Sequence, residues 1–219
     1  MTLRLAIFDC DGTLSDGQAA VCAAMETAFA AADLPAPDRH QVRRIVGLSL
    51  PQAVRRLAPA ASSDQHAAAV DSYKAAFREA RLRGAVHEPL FEGIPELLRD
   101  LNARGWALAV ATGKSDRGLA ATLSAHGLTD LFSSLQTADR HPSKPHPSMV
   151  EQCLADTGAA AGDAVVIGDT VFDMEMAMNA GAAAIGVDWG YHEAAELRAA
   201  GARAVARDCA ELKELLDAL

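Results

Sequence analysis

The sequence predicts an α/β fold, in which a Rossmann-like parallel sheet is flanked by helices and carries an inserted all-helical cap domain. Short continuous apolar runs alternate with amphipathic helical patterns, which is typical of a parallel sheet covered on both faces. One long stretch between the first two runs shows helical periodicity only. Polar or glycine residues follow each run, as expected where parallel strands end at a binding edge.

The predicted strands are four apolar runs, and helical patterns precede the second and the third of them. The runs span residues 3–8, 106–111, 164–167 and 182–187. The helix-forming residues before the second run are Ile94, Leu97, Leu98 and Leu101, and those before the third are Met149, Val150, Cys153 and Leu154. Their spacing of three and four residues places each set on one helix face.

The stretch 16–88 is predicted to be helical throughout. Val21, Met25 and Phe29 recur every four residues, and a second apolar pattern from residue 42 to residue 57 continues past Gly47. The stretch begins and ends in segments rich in glycine, proline and polar residues, which favour hinges. We therefore expect a core of residues 1–15 and 89–219, with residues 16–88 forming a separate cap.

Composition limits the class of protein. The 219 residues include 29 acidic and 20 basic side chains, for a net charge of −9, which argues against nucleic acid and anionic membranes as partners. No apolar span is long enough to cross a bilayer. The four cysteines include no C-x-x-C pair, so neither a zinc knuckle nor a disulfide framework is indicated. We expect a cytoplasmic protein, either a monomer or a homodimer.

The charge is divided unevenly between the two predicted parts. Residues 16–88 hold eight acidic and nine basic side chains, a balance of +1, and the remaining residues hold 21 acidic and 11 basic ones, a balance of −10. A mildly basic cap over an acidic core would attract a small anion into the space between them.

Polar residues after the predicted strands form the candidate site. Because parallel strands present their carboxyl ends at one edge of a sheet, we expect these side chains to converge. A single Asp after a strand is usually a helix cap or turn residue, but here acidic residues follow two separate strands. Clustered carboxylates need a cation, and their hard oxygen atoms suit Mg²⁺. The residues are Asp9, Asp11, Thr112, Gly113, Asp169 and Asp173.

Two other phosphate-binding patterns do not fit. The segment 112–115, TGKS, follows a strand and precedes a helix, but a Walker P-loop needs glycine at the position of Leu108. The sequence also has no G-x-G-x-x-G pattern for a dinucleotide.

Four segments in order resemble the motifs of the haloacid dehalogenase superfamily of phosphohydrolases. Residues 9–14, DCDGTL, resemble the first motif, Thr112 the second, Lys144 the third and residues 168–174, GDTVFDM, the fourth. The intervals of 103, 32 and 25 residues between Asp9, Thr112, Lys144 and Asp169 leave room for a cap between the first two motifs. A helical insertion there resembles the smaller-cap subclass, which includes phosphoglycolate phosphatases.

The resemblance implies a reaction through a phosphorylated aspartate. Asp9 would be the nucleophile, and Asp11 would protonate the leaving oxygen and then take a proton from the hydrolytic water. Mg²⁺ would be held by Asp9, by the backbone carbonyl of Asp11 and by Asp169.

The resemblance also implies a phosphoryl-binding group. Thr112, the backbone amide of Gly113 and the ammonium of Lys144 would surround the transferring phosphoryl group. Asp173 would orient Lys144 or a water bound to the metal.

Differences within the superfamily narrow the reaction to phosphate esters. Asp11 stands where dehalogenases lack an acid, and Val21 and Leu50 stand where β-phosphoglucomutases have a cap histidine and a cap arginine. We expect a small phosphorylated metabolite such as 2-phosphoglycolate, with Arg43 and Arg44 as candidate cap contacts. Those arginines would otherwise only solvate a helix face.

Three other functions are also compatible with these motifs. A sugar-phosphate phosphatase or a β-phosphoglucomutase-like phosphotransferase would use the same core residues. A receiver-like signalling domain also combines aspartate, threonine and lysine around Mg²⁺ on a parallel sheet. Receiver modules have about 120 residues and no helical insertion, unlike this chain.

Overall fold

The computed structural model describes residues 3–219 and contains one six-stranded parallel sheet. The strands are β1 (Leu5–Phe8), β2 (Ala107–Thr112), β3 (Ser134–Thr137), β4 (Ala164–Gly168), β5 (Ala183–Val187) and β6 (Ala204–Ala206). The helices are α1 (Gln18–Ala31), α2 (Arg39–Arg44), α3 (Leu50–Leu57), α4 (Ser63–Leu82), α5 (Ile94–Ala103), α6 (Asp116–Ala125), α7 (Ser148–Thr157), α8 (Val171–Asn179), α9 (Ala194–Ala199) and α10 (Cys209–Asp217). The predicted fold class, a parallel sheet flanked by helices, is confirmed.

The order of the strands puts β1 in the middle of the sheet. The order is β3-β2-β1-β4-β5-β6, and Leu5 pairs with Ala107 of β2 on one side and with Ala164 of β4 on the other. The chain therefore turns in opposite directions on the two sides of β1. In open parallel sheets, the crevice at such a reversal, beyond the carboxyl ends of the strands, is where ligands bind.

Alternate residues of β1 enter the two hydrophobic cores. Ala6 and Phe8 pack with α5, α6 and α10 on one face. Leu5 and Ile7 pack with α7, α8 and α9 on the other. All four side chains are fully buried, which is why this strand is a continuous apolar run rather than an alternating one.

Two strands were missing from the sequence prediction, and the bounds of others differ. β3 contains the buried polar residues Ser134, Gln136 and Thr137, so it has no apolar run. β6 has only three residues. Of the predicted strands, the first begins at Leu5 rather than at residue 3, and Trp106 and Ala182 precede β2 and β5.

Four helices, α1 to α4, and no strand occupy residues 16–88, all of which the structure describes. They share a hydrophobic cluster of their own, with Met25 and Phe29 of α1 and Val54 of α3 among its buried members. The predicted continuation of one helical pattern past Gly47 is wrong. α2 ends at Arg44 and α3 begins at Leu50, and Gly47, with φ of +98°, makes the turn between them.

The helical segment leaves and rejoins the rest of the chain at one place. Ser15 and Leu90 form an antiparallel bridge, and the amide of Asp16 donates to the carbonyl of Pro89 at 2.8 Å. At its other end, the segment packs Ile45, Leu48 and Ala53 against Phe172 at the start of α8.

Among the helices that the structure describes, none has the combination of length and hydropathy needed to cross a bilayer.

Candidate active site

The carboxyl ends of β1, β2 and β4 carry the predicted site residues. Asp9 directly follows β1, Thr112 is the last residue of β2, and Asp169 directly follows β4. The structure also brings Lys144, from the loop before α7, to this edge. The side chains of Asp9, Thr112, Lys144, Asp169 and Asp173 are almost completely buried.

Asp9 offers one carboxylate oxygen that is not engaged. Its Oδ1 accepts the amide of Cys10 at 2.6 Å and lies 2.9 Å from Lys144 Nζ. Its Oδ2 is buried and has no hydrogen-bond partner within residues 3–219. Burial raises the pKa of Asp9 to about 7; Lys144 lowers this pKa, and Asp173 raises it. A buried carboxylate with a free oxygen atom is suited to receive a cation or to act as a nucleophile.

Lys144 is held between two carboxylates. Its Nζ donates to Asp173 Oδ1 at 2.6 Å, in addition to the contact with Asp9. The second oxygen of Asp173 accepts from the backbone amide and the hydroxyl of Thr170, at 3.1 and 2.7 Å. Burial alone would lower the pKa of Lys144, but Asp173 and Asp9 raise it above its usual value. The ammonium therefore stays charged although no water reaches it.

Asp169 is oriented by two donors from other segments. Thr13 Oγ1 donates to Oδ1 at 2.8 Å, and the amide of Tyr191 donates to Oδ2 at 3.0 Å. Burial raises the pKa of Asp169 well above its usual value, and the nearby charges of Asp9 and Asp173 raise it further. The cluster of Asp9, Asp169 and Asp173 thus has more negative charge than its neighbouring cation can offset.

This arrangement fits a divalent metal ion. Oxygen atoms from Asp9, Asp169 and Asp173 lie within 4.8 Å of one another, and Oδ2 of Asp9 has no partner in the described chain. Asp173 is already paired with the ammonium of Lys144, whereas the two partners of Asp169 are uncharged donors. Asp9 and Asp169 are therefore the two carboxylates best placed as ligands. Buried like charges with hard oxygen donors form the kind of site in which such cations are stabilised.

Glycine is required where the helical segment meets β2. A Cβ atom at Gly113 would lie 2.6 Å from the carbonyl oxygen of Leu48 and 2.7 Å from that of Gly47. The loop between α2 and α3 therefore lies directly over the Thr112–Gly113 turn. This close approach covers the candidate site on that side.

Of the two cap arginines predicted to contact substrate, Arg44 is engaged elsewhere. Its guanidinium donates two hydrogen bonds of 2.6 Å to Glu196 of α9. The bidentate pair uses both terminal nitrogens of the guanidinium, so in this arrangement these donors are not available to a substrate. Arg43 lies near Cys22 of α1, and its Nε is buried without a hydrogen-bond partner in the part of the chain described.

The structure also adds residues that the sequence did not single out. Tyr191 orients Asp169 through its amide, and Trp189 Nε1 donates to the carbonyl of Thr13 at 3.2 Å. Both lie within four residues of the end of β5 at Val187, so the rule that ligands lie after strand ends could have found them. Lys114 contacts Asp11 at 2.9 Å and Glu88 at 2.8 Å; its position after β2 was noted only as part of a P-loop that does not fit.

Known proteins are similar to this chain over most of its length. A sequence profile of the haloacid dehalogenase-like hydrolases matches residues 6–187. The "Probable phosphatase IndB" of Dickeya dadantii is 40% identical over 90% of this chain and 86% of its own length. A 5'-nucleotidase of Pseudomonas aeruginosa is 30% identical over 96% and 94%, and a phosphoglycolate phosphatase of Vibrio parahaemolyticus is 26% identical over 98% and 96%.

A solved structure has the same fold. The crystal structure of a hydrolase from Pseudomonas syringae superposes with a TM-score of 0.87, with 26% identity, and covers 100% of this chain and 99% of its own. The profile match includes Asp9, Thr112, Lys144 and Asp169. The chain therefore belongs to the haloacid dehalogenase-like hydrolase family and is one of its phosphatases.

Proposed function

We propose that this protein is a Mg²⁺-dependent phosphatase that hydrolyses a small organic phosphate monoester, similar to 2-phosphoglycolate, through a phosphorylated Asp9. The observation that carries the proposal is the buried Oδ2 of Asp9, which has no partner in the described chain and belongs to a carboxylate held by Lys144 at 2.9 Å. An oxygen atom fixed in position and stripped of water is a suitable nucleophile toward phosphorus.

The proposed reaction has two steps, each moving one proton through Asp11. A carboxylate oxygen of Asp9 attacks phosphorus, the ester P–O bond breaks, and Asp11 gives its proton to the leaving oxygen. A water molecule then attacks the phosphorus of the phosphorylated Asp9 and gives a proton to Asp11. The P–O bond to Asp9 breaks, which releases inorganic phosphate and regenerates the carboxylate.

The phosphoryl group would be bound by donors that face Asp9. Lys144 Nζ lies beside Asp9 and carries a charge kept by Asp173. The hydroxyl of Thr112 and the amide of Gly113 lie at the end of β2, the strand next to β1. Such fixed donors stabilise the charge on the equatorial oxygen atoms more effectively than water does.

The metal would be held by Asp9, the backbone carbonyl of Asp11 and Asp169. When bound, Mg²⁺ supplies positive charge that offsets the repulsion between an anionic nucleophile and an anionic substrate.

The helical segment lies close over the candidate site, which supports a small substrate. A Cβ atom at Gly113 would lie within 2.7 Å of the carbonyl oxygens of Gly47 and Leu48, so little space separates this loop from the Thr112–Gly113 turn. Of the two predicted cap arginines, Arg44 is paired with Glu196, whereas Arg43 Nε has no hydrogen-bond partner in the described chain. We therefore assign Arg43 the contact with an acidic leaving group.

A substrate panel with Mg²⁺ tests the proposal. It should contain 2-phosphoglycolate, several sugar phosphates, a nucleoside 5'-monophosphate and p-nitrophenyl phosphate, with phosphate release as the measurement. We expect many turnovers and the highest kcat/KM for a small acidic ester. A preference for the nucleotide or a sugar phosphate would contradict the proposed substrate class. A single phosphorylation without turnover would contradict the phosphatase and favour a receiver-like domain.

A further inference from the structure

Lys114 is buried at the edge of the candidate site, and its ammonium is paired with two carboxylates. Its side chain is 8% exposed, and its Nζ lies 2.9 Å from Asp11 Oδ1 and 2.8 Å from Glu88 Oε1. Its backbone amide donates to the hydroxyl of Thr112 at 3.2 Å. Because both contacts of the ammonium are with carboxylates, Lys114 is not free to act as a phosphate ligand of the kind found in P-loops.

Glu88 is fixed from several directions. Its Oε2 accepts from Thr122 Oγ1 of α6 at 2.9 Å and from the guanidinium of Arg81 of α4 at 3.1 Å. A ring nitrogen of His126 lies 2.8 Å from its carbonyl oxygen. Burial would raise the pKa of Glu88, but Lys114 and its other partners lower it overall. A charged Glu88 is therefore an anchor for Lys114, placed where the helical segment rejoins the core.

Asp11 is confined between this anchor and the chain entering α1. A Cβ atom added at Gly17 would lie 3.1 Å from Asp11 Oδ1 and 3.4 Å from Glu88 Oε1. Lys114 and the backbone at Gly17 thus both lie beside Oδ1 of Asp11. Restricting its rotamers in this way lowers the entropy lost when a proton is passed to a bound oxygen atom.

We infer that Lys114, held in place by Glu88, is a positioning residue for Asp11, and this inference rests on the proposed role of Asp11 in proton transfer. Glu88 holds the ammonium of Lys114 at 2.8 Å, and that ammonium in turn lies 2.9 Å from Oδ1 of Asp11. The position of the Asp11 carboxylate therefore depends on both residues.

The dependence of the rate on the leaving group tests the inference. Alkyl phosphates need a proton on the departing oxygen, whereas 2,4-dinitrophenyl phosphate releases a stable anion that needs none. For Lys114→Met we expect kcat/KM to fall about 100-fold with an alkyl phosphate, and to stay within about threefold with the dinitrophenyl ester. Because kcat/KM reports the steps up to transfer of the phosphoryl group, the second step does not obscure the comparison. Equal losses with both esters would overturn the inference.

A double-mutant cycle with Asp11→Asn gives an independent readout. If Lys114 acts through Asp11, then adding Lys114→Met to Asp11→Asn changes kcat/KM with the alkyl ester by less than about twofold. A further large loss in that background would mean that Lys114 acts on the substrate or on the fold. Lys213→Met is the matched control, because Lys213 forms an exposed pair with Asp100 at 3.1 Å; we expect it to leave both rates unchanged.

A second variant covers the case in which Lys114→Met does not fold, since that substitution leaves Asp11 without a cation and Glu88 with Arg81 as its remaining cation partner. Combining it with Glu88→Gln removes one of those charges, and the same selective loss is expected. The failure of the proposed function is distinguishable: wild-type protein without turnover on either ester, or Asp9→Asn with full turnover, would refute the phosphatase mechanism. An inactive Asp9→Asn variant together with an unselective Lys114→Met variant would refute only the role of Lys114.

Discussion

Lys144 Nζ lies 2.9 Å from Oδ1 of Asp9, and both side chains are completely excluded from solvent. Since the same ammonium also contacts Asp173, Lys144→Met would leave two buried carboxylates without a cation. We expect a loss of about 3–5 kcal/mol in the free energy of unfolding, the usual result of breaking a buried ion pair from one side. Urea denaturation of metal-free protein at neutral pH measures it, and a loss below about 1 kcal/mol would contradict the structural role given to Lys144.

Asp9→Asn should abolish phosphate release without weakening the fold. The amide is a poor nucleophile, whereas Lys144 keeps its partner Asp173 and the cluster loses one buried negative charge. We expect activity on p-nitrophenyl phosphate to fall below detection, while the melting temperature of the metal-free variant at pH 7.5 equals or exceeds that of the wild type. Asp188→Asn, at a position outside the cluster, is the control for general effects of losing a carboxylate. Retained turnover in Asp9→Asn would refute the assigned nucleophile.

Protons and Mg²⁺ should compete for the carboxylate of Asp9. The pKa of Asp9 rises from 3.8 to about 7 on folding, so the folded protein binds more protons than the unfolded chain between these values, and stability falls as pH rises through that window. Lys144, with a raised pKa, would lose its contribution only at much higher pH. Mg²⁺ competes with these protons, so it should raise the melting temperature more at pH 7.5 than at pH 5.5.

The control for that experiment is Asp9→Asn, in which the pH dependence of the metal-free melting temperature should be shallower. Calorimetry or fluorescence-monitored melting, with EDTA and then with Mg²⁺, gives the four values needed. A stabilisation by Mg²⁺ that is equal at the two pH values would contradict the link between Asp9 and the metal.

The cap arginines should differ in their effect on substrate binding. Arg44 pairs with Glu196, so Arg44→Met and Glu196→Gln should change KM by similar small factors and stability by no more than about 1 kcal/mol, because the pair is partly exposed and screened by solvent. Arg43→Met should raise KM for an acidic ester several-fold, with little effect on p-nitrophenyl phosphate. Steady-state kinetics on both esters decides this. A larger KM effect from Arg44→Met than from Arg43→Met would reverse the assignment.

The pH dependence of the Arg44–Glu196 pair has the opposite sign to that of Asp9. Hydrogen bonds from Arg44 lower the pKa of Glu196 from 4.5 to about 2, so its stabilisation is present above pH 4.5 and is lost as pH falls toward 2. The difference in stability between wild type and Glu196→Gln should therefore shrink between pH 5 and pH 2.5. A difference that grows over this range would contradict the pairing.

Much of the sheet could be predicted because its central strands are buried on both faces. Continuous runs of apolar residues mark four of the strands in the sequence: β1, β2, β4 and β5. β3 could not be found in this way, because hydrogen bonds rather than apolar packing accommodate its side chains. Gln136 Nε2, for example, donates to Ser134 Oγ and to Asp156 at 2.8 Å. The turn at Gly47 could not be predicted, because the helical spacing of apolar residues continues across it.

The site was predictable only where residues follow strand ends. Asp9, Thr112 and Asp169 were found by that rule, whereas Lys144 came from the family resemblance alone, since it lies on a loop that no apolar pattern marks. The contacts of Arg44 with Glu196 span 152 residues, and no local pattern encodes such a pairing. Contacts of this kind depend on how α2 packs against α9, which periodicity does not determine.

The bridge between Ser15 and Leu90 has an evolutionary consequence. Because the two crossings of the chain are hydrogen-bonded to each other, the path of the core is closed at that point whatever length of polypeptide lies between them. An insert exchanged at this point would leave Asp9, Thr112, Lys144 and Asp169 in place, but it would have to supply a carboxylate that holds Lys114 as Glu88 does. It would also need a surface that matches Phe172 and Glu196 and a loop that fits over Gly113.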